Sequence, residues 1–140
     1  MLETRNVTIK FGGLTAVNKV SMKVRPGQIT ALIGPNGAGK TTLFNCISGV
    51  YVPNEGEVLL DDEHLEGKMC YKINELGIAR TYQVINLFWN MTVLENVLVG
   101  MNSRLTATFW DSLFHTKKKR EEEKRIVEKA HEWLQFVGLD

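Results

Sequence analysis

Apolar and polar side chains alternate along the first part of the chain, which is the pattern of half-buried β-strands. Residues 2–11 show this alternation, and residues 20–25 repeat it. Pro26 and Gly27 then mark a tight turn before Gln28–Ile33, a short and mostly apolar segment suited to burial on both faces of a parallel sheet. The pattern predicts a small antiparallel layer that leads into an α/β core.

Helical spacing replaces the alternation after Lys40, and Gly49 is placed to end this first helix. Thr92 and Glu95 have the spacing of a capping box, which predicts a helix that begins there. A long helix is predicted over residues 117–137, with its apolar side chains on one stripe.

Two shorter segments are also predicted as strands. Glu57–Leu60 is a short segment that leads into an acidic turn, and Ile78–Tyr82 also fits a strand.

Composition and charge exclude several classes of protein. The chain has 140 residues, about one domain, with 17 basic and 16 acidic side chains, so a protein that binds nucleic acid through a general basic field is not indicated. Cys46 and Cys70 are too few for a disulfide scaffold and lack metal-ligand spacing. Apolar runs are too short to span a bilayer and no signal-peptide pattern is present, so we expect a soluble, cytoplasmic chain.

Gly34–Thr41 matches the phosphate-loop pattern G-x-x-x-x-G-K-[ST] in full. Glycines let the backbone wrap closely around a polyphosphate and direct its N–H groups inward, and the following helix points its positive N-terminus at the same anion. Lys40 supplies an ammonium to the β- and γ-phosphates, and Thr41 supplies a hydroxyl ligand for Mg²⁺. The motif therefore predicts binding of a nucleoside triphosphate with Mg²⁺.

A family resemblance follows from these residues and their surroundings. GPNGAGKTTLFNCISG, preceded by FGGLTAVNKVS and followed by GIARTYQ and MTVLENVLVG, resembles the ATP-binding subunit of an ABC transporter, most closely the branched-chain amino-acid uptake type. The resemblance implies an α/β fold: a P-loop NTPase core of the ABC type with an antiparallel β layer and the start of a helical subdomain, incomplete at this length. Residues 1–140 would be the N-terminal part of one nucleotide-binding domain, with residues 1–83 reaching the Q-loop and residues 84–140 beginning the helical subdomain.

The resemblance also implies roles for individual residues. Phe11 would stack on adenine, although a phenylalanine on a strand can instead face the core. Gln83 would be the Q-loop glutamine that reaches Mg²⁺ and the attacking water, although it can also be an exposed loop residue. ATP and Mg²⁺ are the implied cofactors, with Thr41 and Gln83 at the metal and Gln83 also catalytic. The implied nucleotide-binding residues are Phe11, Gly34, Pro35, Asn36, Gly37, Ala38, Gly39, Lys40, Thr41 and Thr42.

Several parts of the family's catalytic site are not found in these 140 residues: the signature sequence, the Walker B strand with its glutamate, and the switch histidine. The apolar segment before Asp61 and Asp62 imitates Walker B, but we interpret it as a hairpin of the antiparallel layer. We therefore expect this chain to bind ATP without turnover, as part of an ATPase that powers solute import. A non-catalytic nucleotide-binding or regulatory module is the alternative. A small GTPase is disfavoured because residues 18–21 lack the aspartate of a base-recognition motif.

The resemblance implies a second ATP-binding subunit and membrane-spanning permease subunits as partners, with a location on the inner face of the cell membrane. Val84–Met91 would border the groove that receives the permease, unless its large side chains are ordinary core. The resemblance implies that the Walker B strand, which is not found in these 140 residues, would lie beside Gln28–Ile33 in the sheet. We therefore expect the isolated chain to be dimeric or aggregation-prone.

Overall fold

The computed structural model describes residues 1–82, 84–101 and 117–139. The chain divides into two compact units, Met1–Arg80 and Thr81–Asp140. The boundary predicted between residues 83 and 84, with its assignment to a core and a helical subdomain, stays a prediction.

A four-stranded antiparallel sheet forms the first unit, with strand order β2-β1-β3-β4. The sheet confirms the antiparallel layer predicted from the alternating pattern. Its strands are β1 (Leu2–Phe11), β2 (Leu14–Val24), β3 (Glu55–Leu60) and β4 (Glu63–His64).

Strand β1 is more deeply buried than a half-buried strand, because three of its polar side chains, Glu3, Thr4 and Thr8, are also buried. The Thr4 hydroxyl accepts the Met22 N–H at 3.1 Å, and the Thr8 hydroxyl accepts the Lys19 N–H at 3.1 Å. Both threonines lie beside irregularities in the pairing of β1 with β2, where the ladder leaves backbone groups to be satisfied by side chains. Threonine at these positions thus replaces missing backbone hydrogen bonds.

Helix α1 (Lys40–Ile47) contributes three buried side chains, Leu43, Cys46 and Ile47, to the core formed with the sheet. This confirms the helix predicted after Lys40, and Gly49 follows its end with a positive φ of 79°. Burial raises the pKa of the Cys46 thiol to about 11, so this thiol is neutral at physiological pH. Cys46 is therefore a small packing residue of the core.

The acidic segment that imitates Walker B lies in the hairpin between β3 and β4. Asp61 and Asp62 occupy its turn with positive φ values of 47° and 67°, a conformation that Asp tolerates better than most residues. The Asp61 carboxylate pairs with the amino group of Met1. The interpretation of this segment as a hairpin of the antiparallel layer is confirmed.

The predicted strand at Gln28–Ile33 is wrong for this structure. The segment has no regular secondary structure, and Ile29 and Ile33 are almost fully exposed. A strand exists only when a neighbouring strand accepts its hydrogen bonds, and no described residue pairs with this segment in the sheet. Apolar composition alone could not supply that neighbour.

The strand predicted at Ile78–Tyr82 is also wrong, and for the same reason. It follows helix α2 (Cys70–Glu75), and the Ile78 N–H bonds back to the Ile73 carbonyl at 3.2 Å instead of to a strand.

The second unit contains helices α3 (Val93–Gly100) and α4 (Lys117–Phe136). Thr92 and Glu95 form the predicted capping box: the Glu95 N–H donates to the Thr92 hydroxyl at 3.2 Å, and the Thr92 N–H donates to Glu95 Oε2 at 2.7 Å. The bond from the Thr92 backbone lowers the pKa of Glu95. No helix among the described residues is long and apolar enough to cross a membrane.

The predicted stripe of the long helix is confirmed in part. Ala130 and Leu134 are buried, whereas Val137, beyond the end of α4, is exposed.

Candidate nucleotide-binding site

The phosphate loop is a series of turns on the surface that ends at the first residue of α1. The Ala38 N–H donates to the Pro35 carbonyl at 3.2 Å, and the Leu43 N–H donates to the Gly39 carbonyl at 2.9 Å as α1 begins. Asn36 and the neighbouring loop residues are exposed, so the backbone is open to solvent on its outer side.

Two glycines in this loop have the same conformation but different surroundings. Gly37 and Gly39 have φ values of 82° and 81°, which residues with a side chain rarely adopt. A Cβ atom on Gly39 would lie 2.2 Å from the Ala16 carbonyl oxygen of β2, whereas a Cβ on Gly37 would meet nothing within 4 Å. Gly39 therefore lets the loop lie directly on the sheet, and Gly37 leaves open space above the loop.

Lys40 folds back over its own loop. Its Nζ donates to the Gly34 carbonyl and to the Pro35 carbonyl, each at 2.7 Å. A lysine ammonium has three donors and no acceptor. A bound phosphate would take the place of these carbonyl oxygens as the acceptor, and its charge would make the hydrogen bond stronger.

The N-terminus of α1 is suited to an anion. The first turn of α1 lies within the described residues. No side chain caps this turn, and it contains no acidic residue. The N–H groups of Lys40, Thr41 and Thr42 have no acceptor within the helix, and the helix dipole gives this end a partial positive charge. Backbone donors, dipole and the Lys40 ammonium thus favour a negatively charged group at the same place.

The donor set also fits Mg²⁺ bound together with a nucleotide. Thr41 is exposed at the first turn of α1 and offers a hydroxyl oxygen, the ligand type that Mg²⁺ takes. Within the described ranges no group of three His, Cys, Asp or Glu residues could hold a metal ion. Mg²⁺ commonly binds through one or two protein oxygens plus substrate phosphates, so a protein cage is not needed.

Phe11 lies at the end of β1 and is 46% exposed, so the alternative that it faces the core is wrong. Its ring meets Tyr51 edge to face, with centroids 5.3 Å apart. Phe11 pairs across the hairpin with Leu14, two residues before the Ala16 carbonyl that approaches Gly39. The aromatic ring and the phosphate loop therefore lie at the same end of this hairpin. No motif in the sequence points to Tyr51 as a partner of the Phe11 ring.

Gln83 lies outside the described residues, so its predicted role stays a prediction. Arg80, three residues earlier, donates from Nη1 to Asn45 Oδ1 at 2.6 Å and to Ser48 Oγ at 3.2 Å. Sequence inspection missed this contact between Arg80 and α1. The available signal was the spacing of Asn45 and Ser48, three residues apart and hence on one helix face.

The large side chains of Val84–Met91 are on the surface of the second unit. Leu87, Phe88 and Trp89 are exposed, so the alternative that they are ordinary core is wrong. The Asn96 amide holds this segment in place: it accepts the Phe88 N–H at 2.9 Å and donates to the Phe88 and Thr92 carbonyls. An open, mainly apolar cavity of about 340 Å³ lies here, lined by Leu87, Phe88, Trp89, Met91, Val93, Asn96 and Val97.

Comparison with known families and structures is consistent with this site. Residues 17–140 match the family described as "ABC transporter". Over 99% of its length the chain is 42% identical to the high-affinity branched-chain amino acid transport ATP-binding protein LivG of Escherichia coli (strain K12), and 45% identical to BraF, of the same description, from Pseudomonas aeruginosa. In both cases it spans 54% of the relative, so the chain covers about half the length of these proteins.

Solved structures show the same likeness. A nucleotide-free ATP-binding cassette of an ABC transporter superimposes with a TM-score of 0.75 at 38% identity, covering 99% of this chain and 54% of that one. The ADP conformation of an ATP-binding cassette gives the same values. The fold is therefore that of a P-loop ABC cassette, in part.

Proposed function

Because this chain belongs to the ABC transporter family, we propose that it is the portion of a transport ATPase that binds ATP and Mg²⁺, through Gly34–Thr42 with Phe11. One observation carries the proposal. The N-terminus of α1 has no cap and no acidic side chain, and it bears both the Lys40 ammonium and the Thr41 hydroxyl. Such an end favours a polyphosphate over a neutral ligand.

Each residue of this set has a distinct part in binding. Backbone N–H groups from Gly37 to Thr42 would donate to the phosphate oxygens, and Lys40 would exchange its two carbonyl acceptors for them. Thr41 would bind Mg²⁺, which supplies charge neutralisation at the phosphates. Phe11 would stack on the base. Gln83 would orient a water molecule, since an amide both donates and accepts hydrogen bonds.

Transport of branched-chain amino acids is the activity we propose for the whole protein. The relatives named as branched-chain amino acid transport ATP-binding proteins support it, and they favour it over a regulatory nucleotide-binding module. A second ATP-binding subunit and membrane permease subunits would be its partners, at the cytoplasmic face of the membrane. The exposed, mainly apolar segment Val84–Met91 is the surface on which we expect the permease to dock.

Isothermal titration of the chain with MgATP tests the proposal directly. We expect saturable binding of one nucleotide per chain, and weaker binding when EDTA removes Mg²⁺. Phosphate release measured on the same samples tests the expectation that these 140 residues bind ATP without turnover. The absence of any binding heat at millimolar MgATP would refute the proposed function.

Base identity is expected to affect affinity little. Stacking alone does not discriminate between purines, so GTP should compete with ATP within about tenfold. Replacing Phe11 with alanine should reduce the binding free energy of both nucleotides by about 1–3 kcal/mol, the contribution of one stacked base. Tyr71→Ala removes another half-exposed ring in the same unit and should leave both affinities unchanged. A preference for ATP of several hundredfold would show that hydrogen bonds to the adenine edge are present.

Self-association of the isolated chain is also expected. Ile29 and Ile33 are exposed on a segment without a pairing strand, and such segments pair with other chains. Light scattering coupled to size exclusion at micromolar concentration should show dimers or larger species. Ile29→Lys with Ile33→Lys should shift the population toward monomer, whereas Leu139→Lys, at an exposed apolar residue elsewhere in the chain, should not. A monodisperse species of 15.9 kDa for the unmodified chain would contradict this prediction.

A further inference from the structure

Tyr51 contacts the aromatic ring that the proposed function places against the nucleotide base. The centroids of the Phe11 and Tyr51 rings are 5.3 Å apart and the rings are inclined at 74°, which is an edge-to-face arrangement. Such a contact takes up at most one face of each ring, so a face of Phe11 is left for a base. Both rings are partly open to solvent, at 46% and 37% exposed. Phe11 is therefore oriented at the surface by a neighbouring ring and not by deep burial.

The backbone that carries Tyr51 is attached to the end of α1. The N–H groups of Val50 and Tyr51 both donate to the Asn45 carbonyl, at 2.8 and 3.3 Å. Gly49 precedes them with a φ of 79°, and a Cβ atom on this residue would lie 2.6 Å from the Ile73 side chain. The turn after α1 is thus closely packed, which fixes the position from which the tyrosine side chain extends.

The same segment is attached to β1 a few residues further on. The Asn54 N–H donates to the Thr8 carbonyl at 2.9 Å, and the Asn54 side-chain oxygen accepts the Lys10 N–H at 2.6 Å. Lys10 directly precedes Phe11 in β1. Residues 50–54 are therefore held between the end of α1 and the end of the strand that carries the stacking ring.

We propose that Tyr51 is a positioning residue, which holds the Phe11 ring in the orientation that stacks on the nucleotide base. This inference rests on the proposed function, because it needs a base at Phe11. A phenylalanine side chain has three staggered χ1 positions, and a ring that samples all of them has the stacking orientation for about a third of the time. The apparent affinity falls by the fraction of molecules that are competent to bind. Loss of the Tyr51 ring should therefore weaken nucleotide binding by about threefold or more, without affecting a ligand that has no base.

Isothermal titration with two ligands, MgATP and magnesium tripolyphosphate, distinguishes positioning from a structural role. Tripolyphosphate has the phosphate chain without the base, so it tests the phosphate loop alone. Tyr51→Leu should raise the Kd for MgATP about three- to tenfold and leave the Kd for tripolyphosphate within about twofold. Tyr51→Phe keeps the ring and should keep both Kd values. Tyr71→Leu, the same kind of change at another exposed ring of the first unit, should also keep both.

A double-mutant cycle tests whether Tyr51 acts through Phe11. Phe11→Ala removes the stacking ring, so the addition of Tyr51→Leu should raise the Kd for MgATP no further. If Tyr51→Leu raises this Kd by the same factor with and without the Phe11 ring, Tyr51 acts independently of Phe11 and the inference is overturned.

The remaining outcomes separate this inference from the proposed function. Equal losses of MgATP and tripolyphosphate affinity in Tyr51→Leu would overturn the inference, because they show a disturbed phosphate loop. If Phe11→Ala weakens MgATP binding and Tyr51→Leu does not, only the positioning role is wrong. If the unmodified chain binds neither ligand, the proposed function is wrong as well. Should Tyr51→Leu fail to fold, Tyr51→Met makes the same comparison, since its flexible side chain fills space without a ring.

Discussion

Lys40→Ala is expected to raise the Kd for MgATP about 10- to 150-fold. Hydrogen bonds that involve a charged group contribute about 1.5–3 kcal/mol, and a tenfold change in Kd corresponds to about 1.4 kcal/mol. The ammonium that now rests on the Gly34 and Pro35 carbonyls is the mobile cation of the phosphate loop. Isothermal titration with MgATP measures the change.

The control for this variant is Lys72→Ala. Lys72 is an exposed lysine of the same unit that forms an i,i+3 ion pair with Glu75, an interaction of small energy. Lys72→Ala removes one positive charge, as Lys40→Ala does, but it should leave nucleotide affinity unchanged. If Lys40→Ala binds MgATP as the unmodified chain does, or if Lys72→Ala weakens binding to the same extent, Lys40 does not contact the phosphates.

Gly39→Ala is expected to lower the free energy of unfolding of the first unit by about 2–5 kcal/mol. A side chain in the left-handed conformation costs about 1–2 kcal/mol, and overpacking typically costs a further 1–3 kcal/mol. The Cβ would lie 2.2 Å from the Ala16 carbonyl oxygen, so the loop or β2 must move. Urea denaturation without nucleotide measures the loss.

Gly37→Ala provides a matched control, because Gly37 has nearly the same φ but open space around its Cα. It should cost only the conformational part, about 1–2 kcal/mol. If the two variants lose the same free energy of unfolding, the close approach of the added Cβ on residue 39 to the Ala16 carbonyl has no energetic cost.

Much of the first unit is determined locally and was therefore predictable. Strand β1 and the β3–β4 hairpin follow from alternation and turn residues, and α1 and α3 follow from helical spacing and caps. Each of these signals acts through neighbours a few residues apart. The phosphate-loop motif is local in the same sense, since its glycines, Lys40 and Thr41 lie next to each other.

Contacts between distant segments could not be predicted in this way. Arg80 meets Asn45 across 35 positions, Phe11 meets Tyr51 across 40, and Gly39 approaches a carbonyl of β2. Only the tertiary packing of segments far apart in the sequence brings these groups together. The exposure of Leu87, Phe88 and Trp89 could not be predicted from the sequence either, because an apolar run fits a core and a docking surface equally well.

Gln28–Ile33 shows most clearly the difference between what local sequence determines and what distant contacts determine. Its apolar composition makes a strand possible, but a strand also requires backbone partners from another part of the chain. The described residues do not supply them, and the two isoleucines are exposed. The sequence by itself determined the local elements named above, the phosphate-loop motif and the family resemblance. The tertiary structure alone decided which segments found partners, because hydrogen bonding between strands and burial depend on residues far away in the sequence.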